Sequence, residues 1–141
     1  MPVPVMPELA KENSKAGLEA FIRYWYEVKN YANQTGDTAV LASLSSASCR
    51  LCKHMEEAAS DSYREGRWMV GGALHLSNVE MDWKPEELSH LARAQVVQDK
   101  ISYFNADGSA GRPSDIATND AFVILTQFSG SWKVVDTGVI R

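Results

Sequence analysis

Two cysteines, Cys49 and Cys52, have the spacing in this sequence that most suggests specific chemistry. On a helix, side chains three residues apart are neighbours, so the two sulfur atoms could reach each other. Four interpretations are open for such a pair: a structural disulfide, two reduced and inert thiols, a redox-active dithiol, or part of a metal site. A structural disulfide in an oxidising compartment is favoured.

The redox, zinc and haem interpretations of the cysteine pair each require a neighbouring residue or element that the sequence does not show. A thioredoxin-type motif follows a strand, whereas residues 45–48 follow a predicted helix. Zinc needs four ligands, and only His54 lies close to the pair. Haem attachment needs a histidine directly after the second cysteine, where this chain has Lys53. No metal site and no cofactor is therefore expected, and a thiol-disulfide oxidoreductase using Cys49 and Cys52 stays an alternative.

The histidines and carboxylates form no recognisable catalytic set. His54, His75 and His90 fall on a predicted helix, strand and loop. His75 stands in mid-strand, and its neighbours on the same strand face, Ala73 and Ser77, are small, which would leave room for a ligand beside it. A buried carboxylate such as Asp99 could serve as a general base, although a solvated sheet face explains it equally well. No catalytic residue is assigned.

Aromatic residues recur at spacings that suit a packed core. Trp25 shares a helical face with Phe21 and Val28, the usual arrangement of a helix packed on a sheet. Tyr24 and Tyr26 point away from that face, so one of them could cover a cavity mouth or a partner surface. If the domain has a ligand pocket, its candidate residues are Trp25, His75, Asp99 and Tyr103.

Composition excludes several classes of protein. The 141 residues include 45% hydrophobic and 23% charged residues, with a net charge of −4. A balance of this kind is ordinary for a globular domain and gives no general attraction to nucleic acid or to anionic lipid. The longest strongly aliphatic run, 122–125, is far too short to cross a bilayer.

The N-terminal half is predicted to be helical. Apolar residues recur at three- and four-residue steps over residues 14–31, with Ser14 as N-cap and Gly36 as the end of the helix. Asp37 is expected to start a short second helix, about 38–44.

A third helix is predicted over about 49–65. Ser48 is its expected N-cap, and Gly66 its expected end. Before all three helices, three prolines among the first seven residues predict that residues 1–13 form an extended tether to a single domain over 14–141.

The C-terminal half is predicted to be strands. Residues 84–90 and 105–119 contain turn-forming residues and are expected to be loops. Gly71 and Gly72 suggest a bulge or a close backbone approach within the first strand. The predicted strands are 68–82, 92–104, 121–128 and 132–140, the last two joined as a hairpin by 129–131. The fold class is therefore α+β, with three N-terminal helices packed on a mostly antiparallel sheet of about four strands.

This order of elements resembles the nuclear-transport-factor-2-like cone fold, also called cystatin-like, in which a strongly bent sheet wraps the helices. More narrowly, the segments 7–11, 21–26, 35–37 and 49–52 together are similar to an uncharacterised family of actinobacterial lipoproteins, a domain of unknown function. The similarity runs from about residue 5 to near the end of the chain. It implies an exported protein, anchored to the cell membrane by a lipidated cysteine upstream of this sequence.

These observations favour a non-catalytic extracytoplasmic domain that binds a small ligand or an envelope protein, as a monomer or a homodimer. The alternative is a small-molecule enzyme of the cone-fold type, such as an isomerase, dehydratase or hydrolase. A closed apolar pocket containing His75 or Asp99 beside a tyrosine would favour the enzyme, and a shallow or filled cavity would favour an interaction domain.

Overall fold

A computed structural model describes residues 1–140 as three helices followed by two antiparallel sheets, which confirms the α+β class. Two short 3-10 helices, Glu8–Lys11 and Arg64–Gly66, supplement the main elements. The helices are α1 (Lys15–Thr35), α2 (Ala39–Ser43) and α3 (Arg50–Asp61). The strands are β1 (Trp68–Gly71), β2 (Leu74–Met81), β3 (Ser89–Gln98), β4 (Ile101–Phe104), β5 (Thr118–Phe128) and β6 (Trp132–Val139).

Helix α1 begins and ends as its sequence predicts. Ser14 accepts a hydrogen bond from the Gly17 amide at 3.0 Å, and Gly36 ends the helix in the left-handed conformation at φ 78°. The buried face of α1 includes Leu18, Phe21 and Trp25, which belong to the main hydrophobic core. α1 is therefore the central helix of the domain.

The third helix differs from its prediction at both ends. Its N-cap is Cys49, whose sulfur accepts from the Cys52 amide at 3.2 Å, so the expectation of Ser48 was wrong. The helix ends at Asp61 rather than near residue 65. Tyr63 leaves the helical path because its hydroxyl donates to the Asn33 carbonyl at 2.7 Å, at the C-terminal end of α1. This tertiary hydrogen bond draws the chain toward α1.

Two of the predicted strands are each divided by a bend. The predicted strand 68–82 becomes β1 and β2, and the predicted strand 92–104 becomes β3 and β4. β1 pairs with β4 as a two-stranded ribbon, while the main sheet has the order β2-β3-β5-β6. The bends lie opposite each other, because the Gly72 amide donates to the Lys100 carbonyl at 3.1 Å and the Asp99 amide donates to the Ala73 carbonyl at 3.0 Å.

Gly71 and Gly72 make the first of these bends possible. Both have positive φ, 92° and 75°, a conformation in which other L-residues are strained. A Cβ atom on Gly71 would also clash with the Lys100 carbonyl. The close backbone approach predicted for this glycine pair is therefore present, and it turns the ribbon away from the main sheet.

His90 lies in strand β3 and is buried, so its predicted place in a loop was wrong. Its ring stacks on Trp83 at a centroid distance of 4.1 Å and contacts Trp132 edge-on. The Nε2 atom lies 2.9 Å from the Glu87 carbonyl, while Nδ1 is buried without a hydrogen-bond partner. Stacking between aromatic rings stabilises the start of β3 in a stretch that has strong turn residues just before it.

The N-terminal segment lies on the domain. Ala10, in the first 3-10 helix, is buried in the main core. The Trp132 indole donates to the Glu12 carbonyl at 2.8 Å, and this hydrogen bond joins the segment to β6. The second half of the proline-rich start is thus docked against α1 and the sheet.

Candidate functional site

A cavity of about 500 Å³ lies between α1, α3 and the bent strands. This volume is within the usual range for small-molecule sites. The cavity lies where the β1–β4 ribbon separates from the main sheet, between the main core and a smaller cluster of Met69, Ile101 and Tyr103. Apolar side chains make up much of its wall: Met55, Met69, Leu74, Val96, Ile101 and Phe122.

Lys29 on α1 is the distinctive polar residue of the cavity wall. It is only 8% exposed, and within residues 1–140 it forms no ion pair with a carboxylate. Burial lowers the pKa of Lys29 from 10.5 to about 8. Because removing an ammonium from water is costly without a partner, a buried lysine of this kind requires explanation.

Tyr26 lies one turn before Lys29 and lines the same cavity. Its hydroxyl is buried and has no hydrogen-bond partner. Burial raises the pKa of Tyr26, and the nearby Thr137 hydroxyl lowers this pKa by a smaller amount. The Thr137 hydroxyl itself donates to the Val123 carbonyl at 2.7 Å. Asn33, one turn after Lys29, also lines the cavity. One face of α1 therefore presents three polar side chains to a cavity whose wall also contains apolar side chains.

Several charged groups at the edge of the cavity contact one another. The Tyr103 hydroxyl donates to Asp115 at 2.5 Å, and the Arg112 guanidinium lies 3.9 Å from the centre of the Tyr103 ring. Burial, followed by the hydrogen bond to Asp115, raises the pKa of Tyr103. On α3, Asp61 pairs with Arg64 at 2.8 Å. Lys29, by contrast, is a buried cation without an ion pair within residues 1–140.

Only one of the predicted pocket residues lines the cavity, and that residue is Tyr103. Trp25 is completely buried in the core, where its indole donates to the Ser45 hydroxyl at 3.1 Å. His75 and Asp99 lie outside the cavity as an exposed pair 3.4 Å apart. The structure thus brings His75 and Asp99 together, but on the surface.

Sequence reasoning missed Lys29 because a lysine on an amphipathic helix is ordinarily taken as solvent-facing. A signal was available in the helical spacing, since Tyr26, Lys29 and Asn33 share one face. That face adjoins the apolar face of Trp25 and Val28, so its members were candidates for partial burial. Tyr26, expected with Tyr24 as a cover for a cavity mouth or a partner surface, is instead buried in the cavity wall.

Cys49 and Cys52 lie at disulfide-bonding distance, with their Cα atoms 5.2 Å apart. Both are fully buried in the main core. Neither lines the cavity, although Met55 and Ala59 further along α3 do. The pair therefore supports the start of the helix whose later turns form the cavity wall.

Residues 1–140 contain no cluster of three or more histidine, cysteine or acidic side chains suited to a metal ion. Among the helices described in that range, none combines the length and apolar character needed to cross a membrane.

Helices packed on a bent antiparallel sheet, with a cavity of mixed polar and apolar lining between them, define a cavity-containing α+β domain. The chain belongs to the DUF6318 family, a family of unknown function, whose sequence profile matches residues 1–138. No curated protein sequence matches the chain significantly.

Two solved structures have a similar fold. The intermembrane space region of the chloroplast protein ARC6 superposes with a TM-score of 0.62 at 14% identity, over 91% of this chain and 97% of that one. A structure from Catenulispora acidiphila superposes with a TM-score of 0.54 at 12% identity, over 92% of this chain and 94% of that one. At these identities the likeness concerns the fold alone.

Proposed function

We propose that this protein is a non-catalytic extracytoplasmic domain that binds a small ligand in the cavity between α1, α3 and the bent strands. The observation that carries the proposal is a cavity of about 500 Å³ that combines apolar side chains in its wall with the buried Lys29, which has no ion-pair partner within residues 1–140. A buried polar group without a partner costs free energy, and such groups concentrate at functional sites. A ligand that satisfies Lys29 and Tyr26 would recover that cost.

The proposed export and membrane anchoring rest on observations other than the cavity. The domain would follow a lipidated cysteine upstream of this sequence, with residues 1–13 joining anchor and domain. Disulfides persist in oxidising compartments, so the placement of Cys49 and Cys52 favours an extracytoplasmic location. The similarity to actinobacterial lipoproteins with a nuclear-transport-factor-2-like cone fold points the same way.

Ligand entry is tested with Nile red, a neutral apolar dye whose fluorescence increases in apolar surroundings. We expect saturable binding to the wild type and weaker binding to Ala58→Phe, because Ala58 lines the cavity and a phenyl ring there would take up part of its volume. Ala16→Phe is the matched control, since Ala16 is exposed on the first turn of α1. Equal binding by both variants, or none by the wild type, would contradict the proposal.

Anchoring is tested on the full-length gene product in its native host. Membrane fractionation and mass spectrometry of the mature N-terminus should find a diacylglycerol-modified cysteine ahead of the sequence described here. An unmodified protein in the cytosolic fraction would exclude the anchored form.

The enzyme alternative depended on His75 or Asp99 lying in the cavity. His75 and Asp99 lie on the surface as a pair and do not line the cavity. Lys29 is the buried group of the cavity wall that could act as a general base, but no nucleophile or proton donor is bonded to it within residues 1–140. A basic group without such a partner supports binding better than catalysis.

A further inference from the structure

We propose that the cavity takes an amphiphilic monocarboxylate of the fatty-acid type, with the carboxylate paired to Lys29 and the alkyl chain on the apolar wall. This inference rests on the proposed binding function. It assigns the ligand class from the two halves of the site, which are chemically different from each other.

The polar half of the site matches a single negative charge. Lys29 provides one buried ammonium, and the Tyr26 hydroxyl one turn away offers a second donor without a present partner. A carboxylate accepts from both kinds of donor and carries one charge. The low pKa of Lys29 in the empty cavity agrees with a site whose counter-ion arrives with the ligand.

Phosphate-bearing ligands fit this site less well. A phosphate carries more charge and usually requires several donors, often from arginine. The cavity's arginine, Arg112, is exposed at the edge, stacks on Tyr103 and lies near Asp115. The interior thus offers one cation and not a cluster.

The charged and titratable groups around the cavity do not pair with Lys29. Those on the other elements are His54, Glu57 and Asp61 of α3, Tyr103 of β4, and Arg112 and Asp115 of the following loop. Asp61 pairs with Arg64 and Asp115 with Tyr103, while His54 and Glu57 are exposed. None of these side chains forms an ion pair with Lys29.

The apolar half of the site matches an alkyl chain. Its wall combines flexible methionines, Met55 and Met69, with the branched side chains of Leu74, Val96 and Ile101. Methionine adapts to irregular apolar shapes, which suits a flexible chain. Burial of each methylene contributes favourably to binding.

The test compares dodecanoate with dodecanol, which has the same chain without the carboxylate. Both are measured at about pH 7 by displacement of Nile red and, for dodecanoate, by isothermal titration calorimetry. We expect dodecanoate to bind the wild type at least about tenfold more tightly than dodecanol. The preference should disappear in Lys29→Met, which keeps chain length and removes the charge. It should persist in Lys53→Met, which removes an exposed lysine of α3.

A pH series on the wild type keeps the test independent of any variant's folding. Raising the pH from about 7 to about 9.5 discharges Lys29 in the empty cavity, so dodecanoate affinity should fall while dodecanol affinity stays constant. Burial keeps the pKa values of Tyr26 and Tyr103 raised, so these phenols stay neutral over the series. Near pH 8, binding should take up protons, seen as a calorimetric enthalpy that depends on the buffer.

Two results would overturn the inference and leave the proposed function in place. One is equal affinity of the wild type for dodecanoate and dodecanol while Nile red still binds. The other is an unchanged dodecanoate preference in a folded Lys29→Met. Failure of Nile red and of both amphiphiles to enter the wild type would overturn both proposals together.

Discussion

Two buried atoms, Tyr26 Oη and His90 Nδ1, have no hydrogen-bond partner within residues 1–140, and the buried Lys29 has no ion pair there. His90 lies in the aromatic cluster with Trp83 and Trp132. The groups differ in surroundings. His90 is enclosed by aromatic rings, whereas Lys29 and Tyr26 line a cavity large enough for a molecule. At the scale of single residues, these two are the groups that an incoming ligand could satisfy.

The cysteine pair gives the first prediction at this scale. We expect Cys49 and Cys52 to be bonded to each other in protein made under oxidising conditions, because their sulfur atoms lie at bonding distance. Intact mass before and after reduction and alkylation measures this directly. Two thiols that alkylate freely without reductant would exclude the disulfide. A loop this short contributes about 2 kcal/mol in the chain-entropy model, so reduction should destabilise the domain modestly.

A related prediction concerns catalysis by the same pair. We expect no insulin-reducing or disulfide-isomerising activity above that of a Cys49→Ser, Cys52→Ser double variant. A catalytic dithiol needs an exposed thiolate of low pKa, and both sulfur atoms are fully buried. Turnover by the wild type but not by the double variant would make the pair an active site.

Trp25 and Trp83 differ in burial and should differ in their contribution to stability. Trp25→Ala removes a fully buried ring and its hydrogen bond to Ser45, so a loss of about 3–5 kcal/mol is expected. Trp83 is half-buried and packs mainly on His90, so Trp83→Ala should cost much less. Denaturant midpoints at unchanged slope provide the comparison. Equal losses would show that the two rings contribute alike.

At the scale of elements, the bends within the two long strand segments create the cavity. An unbroken strand over 68–81 would continue in the plane of the main sheet. An unbroken partner strand over 89–104 would remain in the same plane. Instead, residues 71–73 and 99–100 separate the β1–β4 ribbon from the main sheet. The space enclosed by ribbon, α1 and α3 is the candidate site.

Substitution of Gly71 tests this bend. Gly71→Ala should destabilise the domain by more than Gly130→Ala, because Gly130 has a similar positive φ of 74° but open space around it. The control should cost about 1–2 kcal/mol for the left-handed conformation alone, and the clash with the Lys100 carbonyl should add to that in Gly71→Ala. Urea unfolding measures both. Equal costs would mean that the close approach at Gly71 is relaxed without difficulty.

At the scale of the whole molecule, Lys29 connects the site to the stability of the domain. The main core and the smaller cluster around Met69 both border the cavity, so Lys29 lies between two hydrophobic clusters. A protonated Lys29 is destabilising there, whereas in the unfolded chain it is hydrated. The domain therefore tolerates a loss of folding stability at Lys29, which the proposed binding function would explain.

The pH dependence of unfolding measures this cost. Between pH 8 and 10.5 the unfolded chain retains the Lys29 proton that the folded protein releases, so the free energy of unfolding rises with pH across this window. The gain relative to Lys29→Met should approach about 3 kcal/mol. Near neutral pH, Lys29→Met should be more stable than the wild type by a similar amount.

Lys53→Met serves as the control for this comparison, because Lys53 is exposed. Its free energy of unfolding should follow the wild-type pH dependence. Parallel pH curves for the wild type and Lys29→Met would contradict the desolvated lysine.

Local signals in the sequence determined the elements and their order. The Ser14 N-cap, the Gly36 end of α1 and the hairpin between β5 and β6 depend on hydrogen bonds and dihedral preferences within a few residues. The fold class followed from these elements, because amphipathic helices ahead of alternating strands have few ways to bury their apolar faces.

Only the tertiary structure decided where the strands bend and which polar groups are buried. The ribbon turns because residues 71 and 100, far apart in the chain, meet at close range, and Tyr63 leaves its helix for a carbonyl on α1. Lys29 becomes a cavity residue because α3 and the ribbon cover a face of α1 that an isolated helix would leave in water. The sequence reports a residue's type and its neighbours along the chain. Burial, and with it the chemistry of Lys29, depends on the elements that the fold places around it.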